Sequence, residues 1–116
     1  TLDSIINLYQ LGALTINNSI FMNIPDQMIR CETCASGLIN SSLFTNGLRA
    51  LFIKNSKFNI TNSLFSYLGT ETSNGGAILS QNSNLTSYDS VFDNNLGLNG
   101  GAIFPSCINV CTFAYY

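Results

Sequence analysis

The 116-residue chain has no His and no Trp, and only two Pro. Charged residues make up 9% of it, against roughly 25% in an ordinary soluble domain. Four cations, Arg30, Arg49, Lys54 and Lys57, supply no basic face for phosphates, so nucleic acid is not an expected partner. No apolar run reaches the roughly 18 to 20 residues that a membrane-crossing helix needs, so no membrane-spanning segment is expected. The start, Thr1-Leu2-Asp3, has neither an initiator Met nor a signal-peptide pattern, and the chain reads as processed or excised. Without His, a zinc site would need the two Cys pairs, Cys31/Cys34 and Cys107/Cys111, to converge from distant positions. No metal or cofactor is expected. An even Cys count in this composition instead suggests an oxidising compartment, with all four as disulfide candidates.

Polarity comes from 16 Asn, 14 Ser and 9 Thr. These neutral groups compete with helix for backbone hydrogen bonds and favour turns. The informative feature is a repeat: Ser19-Ile20-Phe21, Ser42-Leu43-Phe44, Ser63-Leu64-Phe65, Ser90-Val91-Phe92 and the weaker Cys111-Thr112-Phe113. The phenylalanines stand 23, 21, 27 and 21 residues apart. Five positions before each is Ile16, Ile39, Ile60, Ser87 or Ile108, and three before is Asn18, Ser41, Asn62, Asp89 or Val110. Alternating apolar residues interrupted by turn formers describe short strands joined by corners. A second landmark is Gly75-Gly76-Ala77-Ile78, repeated as Gly100-Gly101-Ala102-Ile103; Ala77 precedes Phe92 by 15 residues, as Ala50 precedes Phe65.

A period of 21 to 27 residues holding two or three strands is about one turn of a parallel β-helix. A leucine-rich repeat would want a helical return, and no sustained 3.6-residue periodicity exists here. The expected fold is all-β, a right-handed parallel β-helix of about five coils, with 1–116 a single segment of a longer chain or of a stacked polymer. The five phenylalanines should form one inward column, the Ile16 series another, and corner Asn side chains should ladder along the axis.

The Gly-Gly-Ala-Ile pairs, alternating with Phe92-Asp93-Asn94-Asn95, resemble repeats of the chlamydial polymorphic outer membrane proteins and related pectin-lyase-like surface proteins of bacteria and protists. The resemblance covers about residues 58–113. It implies a parallel β-helix displayed outside the cell as an adhesin or stalk.

Pectin-lyase-like folds also include polysaccharide lyases and hydrolases, which need convergent carboxylates or Asp-bound calcium. Here Asp89 and Asp93 flank Phe92 while Asp3, Asp26, Glu32 and Glu71 are scattered, so Asp89 reads as a corner residue and no catalytic residue is assigned. The Gly-Gly pairs are not followed by Lys or a helix and are not phosphate loops. Sequons at Asn17, Asn40, Asn59 and Asn84 make glycans possible partners, although composition alone supplies about three such matches. Ile20, Leu43, Leu64 and Val91, each beside an inward Phe, should face outward as an association stripe unless a bend turns them in. Open coil ends, with Tyr115 and Tyr116 at one of them, suggest strand addition between copies. The function expected is thus a non-enzymatic extracellular or cell-surface building block forming homo-oligomers or filaments. The alternatives are a carbohydrate-binding adhesin, which a groove lined by Tyr9, Tyr67 and Tyr88 would favour, and a fragment of a polysaccharide lyase.

Overall fold

The structure, a computed structural model, describes residues 6–10, 12–72, 76–99, 101–106 and 113–115. They form a parallel β-solenoid of about four turns, close to the five coils expected, with no helix. Each coil has three faces. Face 1 is a sheet of β2 (Ala13–Asn17), β4 (Ser36–Asn40), β6 (Lys57–Thr61), β9 (Asn84–Tyr88) and β12 (Phe113–Tyr115), every pair parallel. Face 2 consists of the first halves of β3 (Ile20–Glu32) and β5 (Leu43–Lys54) with β7 (Leu64–Leu68) and β10 (Val91–Asp93). Face 3 takes β1 (Ile6–Tyr9), the second halves of β3 and β5, β8 (Ile78–Gln81) and β11 (Ile103–Ser106).

Corners are made by backbone in the left-handed region, which asks for residues that tolerate positive φ. Among the described residues twelve non-Gly residues adopt it, in three columns of four: Gln10/Thr33/Asn55/Asn82, Asn18/Ser41/Asn62/Asp89 and Asn23/Asn46/Tyr67/Asn94. Seven are Asn, which explains much of the Asn content, and Asp89 holds a corner as its turn role requires. Asn46 Nδ2 also donates to Asn23 Oδ1 at 2.6 Å, an Asn rung of the expected kind.

The longest ladder along the axis is nevertheless made of serine. Ser19, Ser42, Ser63 and Ser90 each follow a corner residue, and each hydroxyl donates back to the carbonyl two residues earlier, at 2.9 to 3.1 Å. The same oxygens accept an N–H from the neighbouring coil: Ser19 N–H to Ser42, Ser42 N–H to Ser63, and Ser63 N–H to Ser90, at 3.1 to 3.2 Å. Ser56 and Ser83 repeat the device at the face 3 to face 1 corner. The corner breaks strand pairing, and the hydroxyl replaces the lost peptide partner in the interior, where an unpaired N–H is costly.

The core is a set of like-on-like columns. Phe21, Phe44, Phe65 and Phe92 stack with centroids 4.9, 4.9 and 4.7 Å apart and rings within 5° of parallel. Ile16, Ile39 and Ile60 stack in register with Ser87, whose buried Oγ lacks a partner. Gly37 leaves the space that the Phe58 ring fills one coil along; a methyl there would overlap the ring. Ala50, Ala77 and Ala102 are linked by backbone bonds of 2.9 Å; the first two share the 15-residue spacing to their Phe, and the last two the Gly-Gly-Ala-Ile motif. A Cβ on Gly76 would strike the carbonyl oxygens of Leu96 and Gly101, so the Gly-Gly-Ala-Ile motif marks close approach of coils.

One expected position is corrected. Phe113 does not continue the Phe column: it pairs with Leu85 on face 1. Asp93 to Ile103 takes ten residues where Thr45 to Leu51 takes six, and Ser106 to Phe113 takes seven where Gln81 to Leu85 takes four, so a count of 21 from Phe92 stops on face 1. Ile108 lies outside the described residues.

Candidate functional site

Where face 1 turns into face 2, every coil presents the same three-residue unit: a left-handed corner residue, a ladder serine and an apolar side chain. Stacked, they line an axial groove of about 570 Å³, open along its length. Asn18, Ser41, Asn62 and Asp89 line it on one side and Ile20, Leu43, Leu64 and Val91 on the other, with Ser19, Ser42 and Ser63 between them. Strand alternation, with Phe inward, sends the latter column outward as expected. Ile20 is 67% exposed, Val91 54% and Leu64 38%, with Leu43 half-buried. Their register is direct, Ile20 to Leu43 to Leu64 to Val91, so the stripe runs parallel to the solenoid axis with one branched aliphatic per coil.

The sequence-derived tyrosines do not share this groove. Tyr9 ends β1 on face 3, Tyr67 sits in the face 2 to face 3 bend, and Tyr88 ends β9 on face 1, so they stand at three different corners. Asp89 and Asp93 are exposed on the corner and on face 2, and no group of three or more His, Cys, Asp or Glu converges among the described residues.

Cys31 and Cys34 form a disulfide, with Cα atoms 6.0 Å apart and both side chains fully buried. Cys34 occupies the place that Ser56 and Ser83 hold in the second ladder, and its N–H donates to Ser56 Oγ at 2.9 Å. Cys107 and Cys111 lie outside the described residues, as does Tyr116; Tyr115 belongs to β12, in register with Ser87.

Two features were not read from the sequence. On the outer side of face 3, the Arg30 guanidinium lies 5.0 Å from the Phe52 ring centroid and 5.9 Å from that of Tyr9, and bonds Glu32 Oε2 at 3.0 Å. Tyr9 and Phe52 lie one coil to either side, a relation visible only once the register is known. In the face 2 to face 3 bend, Arg49 is buried and donates to Gln27 Oε1 at 3.0 Å; loss of solvation holds its pKa below the ordinary arginine value.

The four sequons all fall on face 1. Asn17, Asn59 and Asn84 are exposed, and Asn40 is half-buried with its Oδ1 accepting from Thr61 Oγ1 at 2.7 Å. No helix among the described residues is long and apolar enough to cross a membrane. No family model, curated protein or solved structure matches this chain.

Proposed function

We propose that the chain is a non-enzymatic structural module of an extracellular or cell-surface assembly, one that packs side by side with like modules through the aliphatic stripe. The observation that carries this reading is the stripe itself: four aliphatic side chains in exact register on an outward face, where a solvated sheet would alternate to polar residues. The solenoid is a stack of repeating rungs in parallel register, and its carboxylates are dispersed over different faces among the described residues. The likeness to pectin-lyase-like surface repeats agrees with a displayed stalk and belongs to the same proposal.

Sedimentation velocity over a range of concentrations tests it. The wild type should show concentration-dependent association, and the outward substitutions Leu43→Asp with Leu64→Asp should abolish it while leaving the circular dichroism spectrum unchanged. A wild type that stays monomeric near millimolar concentration overturns the proposal.

A further inference from the structure

We infer that face 1 is a glycan-bearing face, with N-linked oligosaccharide on Asn17, Asn59 and Asn84 and an unmodified Asn40. The inference rests on the extracellular reading above and adds which surface is modified.

Sequons by themselves carry little weight in so Asn-rich a chain, and their placement is the new observation. One falls in each of four successive coils, in β2, β4, β6 and β9, and all are on one sheet. None falls on face 2 or face 3. The fold does not impose this. The corner ladder requires Ser19 and Ser42, which complete two of the sequons, but the place two residues before a ladder serine is Asn17, Asn40, Thr61 or Tyr88, so Asn there is optional. Thr61 and Thr86, which complete the others, belong to face 1 strands and to no serine ladder.

Geometry separates the four. Asn17, Asn59 and Asn84 are exposed. Asn40 stacks in register on Asn17, one coil away, and its Oδ1 is engaged by the Thr61 and Ser41 hydroxyls at 2.7 and 3.3 Å. Neighbouring strands lie about 4.8 Å apart, too close for two branched oligosaccharides to leave one root side by side. Asn59 and Asn84 stand on other coils, at the middle and the far edge of face 1 from the groove, where glycans leave the aliphatic stripe open.

The donor class is an oligosaccharide linked to a lipid pyrophosphate. The Asn Nδ2 attacks the sugar C1 and loses a proton; the C1 to pyrophosphate oxygen bond breaks as the C1 to nitrogen bond forms, and the lipid pyrophosphate leaves.

The test is intact-mass measurement and peptide mapping of the protein isolated from its source cells, before and after peptide-N-glycosidase in heavy-oxygen water. Three mass steps are expected, with Asn17, Asn59 and Asn84 converted to labelled Asp and Asn40 recovered unlabelled. A chain found outside the cell with no carbohydrate on these residues, or with four glycans on one molecule, overturns this inference and leaves the structural reading standing. A chain confined to the cytosol overturns both.

Discussion

Replacing Ser63 by Ala probes the ladder at its best-buried rung. Its Oγ donates to Thr61 O at 2.9 Å and accepts the Ser42 N–H at 3.1 Å. The Thr61 carbonyl keeps a second donor, the Ser41 N–H at 3.0 Å, so it is not orphaned. The Ser42 N–H is buried and loses the partner that the ladder gives it. An interior donor left unmade costs about 1–3 kcal/mol. Ser19→Ala is the control: the hydroxyl bonds the Asn17 carbonyl in an exposed setting that water can replace, and the loss should stay under about 0.5 kcal/mol. Urea unfolding followed by circular dichroism separates them. With m of about 1–2 kcal/mol/M, Ser63→Ala should lower the midpoint by about 1 M, and Ser19→Ala by no more than about 0.3 M at unchanged m. Equal shifts would show that the serines act only as local corner residues, and the account of coil-to-coil bonding would fail.

Two further substitutions test neighbouring claims. Ser87→Val removes a buried hydroxyl with no partner from a column otherwise filled by isoleucine; it should raise stability by about 1 kcal/mol, read as a higher urea midpoint, and a lower midpoint would mean that the hydroxyl is satisfied. In a Cys31→Ala background, Cys34→Ser should be more stable than Cys34→Ala by about 1 kcal/mol, because a serine at that corner re-creates the hydroxyl that Ser56 and Ser83 provide; indistinguishable melting curves for the two would refute the equivalence.

The architecture was legible because stacking rewards identity. A residue that packs well on its own copy one coil away recurs at the coil period, so Phe21, Phe44, Phe65 and Phe92 announced their column, and with it the outward direction of Ile20, Leu43, Leu64 and Val91. Phe113 went astray because a spacing of 21 says nothing about how much chain the two preceding corners have used. The Asn-rich corners were found, while the role of the residue after each corner was not. Serine is common enough here that its recurrence at 19, 42, 63 and 90 looked like part of a Phe motif, and only coordinates show its oxygen standing in for a peptide group. A similar substitution explains Asn95: its side-chain amide accepts the Leu68 N–H and donates to the Phe65 carbonyl, both at 3.0 Å. The clustering of sequons on one sheet was half visible, since Asn17 and Asn40 share a repeat position, but Asn59 and Asn84 joined them only when the strands were assigned.

The coils differ in length mostly at one bend. Between faces 2 and 3 the chain passes through a bulge in β3 at Ile24 to Gln27, continues directly within β5, and makes longer excursions between Leu68 and Ile78 and between Asp93 and Ile103. The face 1 to face 2 corner keeps a fixed count, five residues from Ile16 to Phe21, Ile39 to Phe44, Ile60 to Phe65 and Ser87 to Phe92, and is tied by hydroxyl rungs. Foreign sequence spliced at the exposed Glu71 and Thr72 should therefore be carried as an appendage without shifting a neighbouring rung, making this bend the natural place to graft a reporter or to diversify the solenoid.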